Sequence, residues 1–315
     1  MNRVLRIARI LVSLAVFFVL SAGLTFSIWY IPGVCDILIN MQLGQAIFTM
    51  SIGIFAGWLL VTLIFGRVYC STVCPLGTLQ DISACAVRLG RRGHEKVYRY
   101  QQPSTVSRVA FLALLVVSLA TGMILIPSVI EPSAAFIRIC AGFFNPMLKF
   151  AVRALGNAGI YSHYAAIAVT TSVAASIAAT FLFAVVTVVS AHSGRTLCNS
   201  VCPIGTILGF VSRYSIFQIN IDTDKCTQCR RCEYVCKAHC INMADHTVDG
   251  SRCVACFDCI NVCRADAIHY TTDRKRLSDP LMQRTGVRGA TPKTSVEGAD
   301  ACASKIKPTE KNSHR

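Results

Sequence analysis

The strongest constraint on this chain is the distance between its charges. No Asp, Glu, Lys or Arg lies between Arg9 and Asp36, Asp36 and Arg67, Arg108 and Glu131, or Arg153 and Arg195. Backbone polar groups that leave water must be satisfied internally, so stretches like these cross lipid as helices. A spanning helix takes about 20 mostly apolar residues, and one fits each gap, near residues 10–30, 46–65, 109–129 and 165–189. Composition supports this for part of the chain only. Charged residues make up 15% of the whole, against about 25% in ordinary globular domains, and the deficit ends near residue 222. From about Thr271 the chain is rich in Arg, Lys, Ser, Thr, Pro and Gly with few apolar residues, which predicts a disordered basic tail over 273–315.

Orientation follows from the cations. Of 31 Lys and Arg residues, three precede the first span, seven lie between the second and third, and eighteen follow the fourth, leaving only Arg138, Lys149 and Arg153 elsewhere. The positive-inside rule then places both termini in the cytoplasm, with loops 31–45 and 130–163 outside. Arg3, Arg6 and Arg9 before an apolar run resemble a secretory leader, but the run continues from Ile10 to Ile31 without a clean A-x-A site, so an uncleaved anchor is expected. Within the outer loop, Met147, Leu148, Val152 and Leu155 share a helical face opposite Lys149 and Arg153, which predicts an interfacial helix over 145–155. The net charge of +15 orients and solvates. No basic helix interleaved with aromatics points to nucleic acid.

Residues 66–79 read GRVYCSTVCPLGTL and residues 194–207 read GRTLCNSVCPIGTI, identical at eight of fourteen positions. Each copy follows a pair of predicted spans, so the membrane part, 1–215, is two helix–helix repeats, each ending in a C-x3-C-P motif at the cytoplasmic side. Cysteines four apart share a helical face, and Pro75 and Pro203 are suited to open a new helix. Cys70, Cys74, Cys198 and Cys202 are therefore candidates for a redox dithiol or a further metal site. A turn that closes each span with small buried thiols would use the same residues.

Cys226, Cys229, Cys232 and Cys236 have the spacing C-x2-C-x2-C-x3-C, and Cys253, Cys256, Cys259 and Cys263 repeat it 27 residues later. This is the run that holds two [4Fe–4S] clusters, the fourth cysteine of each serving the other cluster. Cys226, Cys229, Cys232 and Cys263 are assigned to one centre, and Cys253, Cys256, Cys259 and Cys236 to the other. A zinc ribbon also uses C-x2-C pairs, but two complete four-cysteine runs favour iron and sulfide. Residues 217–221 and 267–270 are expected as flanking strands, and Ile241 and Ile268 occupy equivalent apolar positions in a module spanning 216–272. Such a run usually ends in Cys-Pro. Here Lys237 and Arg264 follow instead, and with Arg230, Arg231 and Arg252 they are expected to raise the reduction potentials. Cys240 aligns with Ala267 and reads as a packed thiol rather than a ninth ligand.

The remaining cysteines, Cys35, Cys85, Cys140 and Cys302, lack ligand spacing; Cys35 and Cys140 both fall in the outer segments, where a disulfide could form. His163 and His192 are read mainly as interfacial side chains, with His192 as the candidate quinone contact.

Spans, paired GR-x-x-C-x-x-x-C-P-x-G motifs at Gly66 and Gly194, and the double cysteine run together resemble the NapH and MauN type of ferredoxin-like membrane protein, with relatives among NosR-type proteins. The likeness covers residues 1–270. It implies a membrane α-helical fold of four transmembrane helices with a cytoplasmic bacterial-type α+β ferredoxin module. It also implies a quinol dehydrogenase component of the bacterial inner membrane, moving electrons from the quinol pool towards a periplasmic redox enzyme through iron–sulfur or cytochrome c partner subunits. The missing prolines depart from the type. Two alternatives use the same residues: a copper reductase or assembly factor passing Cu(I) through its thiols, and a redox sensor. The chain has no G-x-G-x-x-G dinucleotide fingerprint.

Overall fold

A computed structural model describes residues 2–26, 37–43, 51–90, 98–122, 131–154 and 172–272. Its helical part runs α1 (Asn2–Phe26), α2 (Ile52–Phe65), α3 (Tyr69–Thr72), α4 (Pro75–Gly90), α5 (Thr105–Ala120), α6 (Pro132–Ile139), a π-helical turn (Cys140–Phe144), α7 (Asn145–Ala154), α8 (Val173–Ser193), α9 (Thr196–Ser200) and α10 (Pro203–Ser212). The internal repeat is visible as packing. In the first copy α1 packs on α3 and α4; in the second α5 packs on α9 and α10. The copies also exchange partners, since α4 packs along α8 and α10 along α2.

The motif explains its own geometry. Gly66 and Gly194 end α2 and α8 with φ of +77° and +61°, a region that glycine enters without steric cost, and each donates its N–H to the helix just ended, at Thr62 and Ser190. After a single short helix, Pro75 and Pro203 occupy the first position of the next one, where a missing N–H costs nothing. A Cβ at Gly205 would stand 2.4 Å from the Cys198 carbonyl oxygen, and one at Gly77 would stand 2.5 Å from that of Cys70. Glycine at that motif position is thus a close-approach requirement.

Among the described residues, three helices are long and apolar enough to cross a membrane: Val4–Thr25, Pro132–Ala151 and Val173–Ser193. The first and third match predicted spans. Parts of the second and third expected spans are also helical, as α2 and α5, while residues 44–50 and 123–130 lie outside the described ones, as do Cys35, His163, Cys302 and the tail. Large apolar side chains such as Leu11, Phe18, Leu60, Val116, Ile177 and Phe181 are exposed on the spans.

Two differences from the sequence reading concern the segments assigned to outer loops. Residues 37–43 are packed against the first motif: the Leu43 N–H donates to the Tyr69 hydroxyl at 3.0 Å, and Tyr69 donates to Gln42 at 3.1 Å. The Trp58 ring lies 4.9 Å from that of Tyr69. Residues 132–154 form one helical run through the π turn rather than a loop with an interfacial helix beginning at Asn145, and Phe136, Ile139 and Cys140 are fully buried with Phe17, Leu20, Leu79 and Val186. Arg138 and Lys149 interrupt the charge-free pattern by which spans were found, and Ile139 and Cys140 between them belong to the core.

The C-terminal module has β1 (Gln218–Ile221), α11 (Arg231–Val235), β2 (Ile241–Asn242), β3 (Thr247–Val248), α12 (Asp258–Val262) and β4 (Ile268–Thr271). β1 pairs antiparallel with β4, Ile221 opposite Ile268, and β2 pairs antiparallel with β3. Ile241 and Ile268 are 1% and 2% exposed, the matched core positions of two half-modules. The backbone repeats as the cysteines do: Gln228, Arg230 and His239 have positive φ, and so do Ala255, Phe257 and Asp266, 27 residues on. Alternation of right- and left-handed residues turns successive N–H groups towards one concave side, a nest for an anionic guest.

The module is docked on the motif ends of the helices. Arg195 donates its N–H to the Lys237 carbonyl at 2.9 Å, and Ile216 and Phe217 donate theirs to Leu63 and Ile64. The Tyr270 hydroxyl donates to the Phe65 carbonyl at 2.8 Å. Phe65, Phe217 and Tyr270 stack in sequence, and Tyr270 meets Phe257 edge-on.

Candidate iron–sulfur and thiol sites

Two cavities in the module are lined by cysteine. Cys236, Cys253, Cys256 and Cys259 surround one, with Cys240, Ile219 and Val254. Cys226, Cys229, Cys232 and Cys263 surround the other, with Arg230, Arg231 and Met243. The two sets are those assigned from the spacing, the fourth cysteine of each run having crossed to the opposite cavity. No three His, Cys, Asp or Glu side chains among the described residues approach closely enough to hold one metal ion.

Equivalent positions in the two halves differ in exposure. In the first loop Thr227, Gln228, Cys229 and Arg230 are exposed, whereas their counterparts Val254, Ala255 and Phe257 are buried, because the second loop faces the helical part. Val254 and Cys256 join an apolar cluster with Tyr69, Cys70, Cys74, Cys202, Ile204 and Leu208. One cavity is therefore interior and next to the repeat motifs. The other faces outward.

The four motif cysteines come together in the same layer. Cys70, Cys74 and Cys202 share that cluster. Cys198 lies beside the Gln80 side chain, Sγ to Oε1 3.3 Å. The motif arginines are exchanged between repeats. Arg67 of the first donates to Asn199 of the second at 2.8 Å. Arg195 of the second donates to the Cys70 carbonyl at 2.6 Å and doubly to Asp81, at 3.0 and 2.8 Å. Burial pushes the Cys198 thiol up to about 11 and raises Cys74 and Cys202 as well, with neighbouring thiols adding to each of those two shifts. Thiols so placed are poor exchange nucleophiles at neutral pH.

Several charged residues have a role the sequence did not reveal. Lys237, where a proline was expected, forms ion pairs with Asp81 at 3.5 Å and Asp258 at 3.2 Å, and Arg252 pairs with Asp249 at 2.6 Å. These partners offset the field each cation was expected to impose on a cluster. Arg6 and Arg9 of α1 reach Asp258 and Asp81, so the chain's N-terminal end, both motifs and the module lie together on one side of the helical part. His239, not singled out from sequence, bridges the Arg99 and Ser193 carbonyls at 2.7 and 3.0 Å; no spacing rule marks such a tether. Cys240 is buried with its Sγ 3.4 Å from that of Cys236. Cys85 is exposed, Cys140 is buried among core helices, and His192 is exposed in the last turn of α8.

A family model described as a 4Fe–4S binding domain matches residues 47–92 and again residues 175–222. These are the two motif-bearing segments, and both stop short of Cys226. Two segments of the chain are thus similar to a 4Fe–4S binding domain, in a protein that carries helices long and apolar enough to cross a membrane. One relative, an uncharacterized protein of Methanocaldococcus jannaschii, is 46% identical over 39 residues, 12% of this chain and 16% of that protein's length. No solved structure matches the chain.

Proposed function

We propose that this protein carries electrons between a membrane quinol and a water-soluble redox partner, through two [4Fe–4S] centres held by the crossed cysteine sets. The observation that carries the reading is the inequality of the two cysteine cavities. One packs against apolar helices, while the other carries the exposed Thr227, Cys229 and Arg230 in its lining, an arrangement suited to conduction between a bilayer and an aqueous partner. A crevice lined by Phe65, Arg67, Ser212, Ser215, Tyr270 and Cys253 lies between the end of α2 and the module, within reach of an apolar donor arriving along the spans; His192 does not line it. Oxidation of a quinol releases two electrons and two protons and leaves the quinone. The electrons leave one at a time through the cysteine-bound centres, and the protons go to water. The resemblance to NapH and MauN proteins makes the quinol pool the donor and a periplasmic enzyme system, reached through iron–sulfur or cytochrome c subunits, the acceptor.

Purified, anaerobic protein mixed with a short-chain quinol is expected to bleach in the visible cluster absorbance to most of the extent reached with dithionite. Bleaching by dithionite alone would overturn the quinol assignment. The membrane placement is tested separately. With 28 of 31 cations assigned to one side, reporters fused to either terminus are expected to be active as cytoplasmic fusions and inactive as exported alkaline phosphatase. The reverse pattern would put the cysteine runs in an oxidising compartment and end the proposal.

A further inference from the structure

We infer that Cys70, Cys74, Cys198 and Cys202 together hold a third four-iron cluster, two thiolates from each repeat, distinct from the two in the ferredoxin module. This deepens the electron-transfer reading and rests on it for the cluster's purpose, though not for its chemistry.

The first argument is stoichiometric. Each segment matched by the 4Fe–4S family model contributes only two motif cysteines to the interior, half of what a cube needs. Exchange of α4 and α10 between the repeats brings the two halves into one layer, each arginine crossing to the opposite copy. A single shared site satisfies both segments at once.

The second argument is electrostatic. Arg67 is 0% exposed, yet no carboxylate lies within 4.0 Å of it among the described residues. It donates to the neutral Asn199 and Ser251 oxygens, and its other terminal nitrogen stands 3.8 Å from Cys70 Sγ. A buried guanidinium without a counter-anion is strongly unfavourable. Its motif counterpart Arg195 has Asp81; Arg67 has only the thiol cluster. Thiolates round an iron–sulfur core carry net negative charge and supply the missing anion.

The third argument is unpaired donors. Arg67 Nε and Gln80 Nε2 are buried without an acceptor among the described residues, and Gln80 is the residue whose Oε1 touches Cys198. Buried donors are nearly always paired, and thiolate and sulfide sulfurs would accept from them. A single zinc or copper ion fits less well, because it would add no acceptor beyond the thiols. Placed here, the cluster adjoins the interior ferredoxin cavity, since Cys256 packs in the same apolar cluster as Cys70, Cys74 and Cys202. It would receive and pass on one electron without making or breaking a bond to the protein.

The test uses the full chain in detergent, reconstituted anaerobically, with iron and acid-labile sulfide measured per chain. About twelve of each are expected, against about eight if only the ferredoxin module is loaded. Cys74→Ala and Cys202→Ala, made separately, are each expected to lower the count to about eight while the low-temperature paramagnetic signals of the two module clusters persist. A parent count near eight overturns the inference whatever the variants do, and so does a count near twelve that neither substitution lowers. Zinc or copper bound beside about eight iron also overturns it. The two readings fail separately: quinol reducing a protein with about eight iron sinks only the third cluster, whereas quinol failing to reduce one with about twelve sinks only the quinol assignment.

Discussion

Cys263→Ser is expected to remove the centre bounded by Cys226, Cys229 and Cys232, lowering the content by about four iron and four sulfide, and to leave the other module centre intact. Cys236→Ser is expected to do the reverse, removing the centre of the 253–259 run. The reasoning is positional. Cys263 closes the second run in sequence, but it lines the first run's cavity with Thr227, Arg230 and Arg231, while Cys236 lines the cavity of Cys253, Cys256 and Cys259. The two losses should be told apart by solvent. The outward cavity includes the exposed Cys229, so its centre should be the one a hydrophilic oxidant attacks first, and Cys263→Ser should abolish that fast phase. Loss in each variant of the cluster belonging to its own run would reject crossed ligation.

The grouping of the cysteines was legible because ligand spacing is local along the chain. The C-x2-C-x2-C-x3-C runs, their 27-residue offset, the equivalence of Ile241 and Ile268 and strands near 217–221 and 267–270 all follow from counting along the chain. The structure places β1 and β4 within a residue of those ranges. The duplicated motif was legible for the same reason. What its arginines do was not, because Arg67 and Arg195 act on the copy 128 residues away, and identity between copies does not say that they interlock. The packing of segments 37–43 and 132–144 was not legible to a rule that reads charge and span length. Leu43, buried against Tyr69, carries no charge signature of that contact. Lys237 is the clearest case. As a substitution for proline it looks like a loosened turn with a stray cation, yet its side chain pairs with Asp81 on α4 and Asp258 on α12. A sequence shows the departure; only the packing of the module against α4 supplies a reason.

That packing makes Asp81 the residue whose loss should cost the most stability. Its carboxylate accepts two hydrogen bonds from Arg195, which is 1% exposed, and pairs with Arg9 and Lys237. Burial alone would raise its pKa, but the charges of Arg195, Lys237 and Arg9 outweigh it and hold the carboxyl well below the usual carboxylate range. A depressed folded-state value means that the contribution is complete above the unfolded value near ~4 and is lost only as pH falls through the folded one. Between pH 5 and 8 the network should therefore add no pH dependence. Asp81→Asn keeps the shape and removes the anion, leaving Arg195 buried without a carboxylate, a change expected to cost about 3–5 kcal/mol and to appear as a lower unfolding temperature in detergent. Asp258 remains for Lys237, so the module should stay attached while the seam around Arg195 opens, which limited proteolysis between α4 and the module would report. Asp81→Leu combined with Arg195→Met removes both charges and should recover part of the loss, a coupling of about 0.5–3 kcal/mol. An Asp81→Asn protein that unfolds at the parent temperature, or a double variant no better than the sum of its singles, would mean that this buried ion cluster does not stabilise the seam between α4, Arg195 and the C-terminal module.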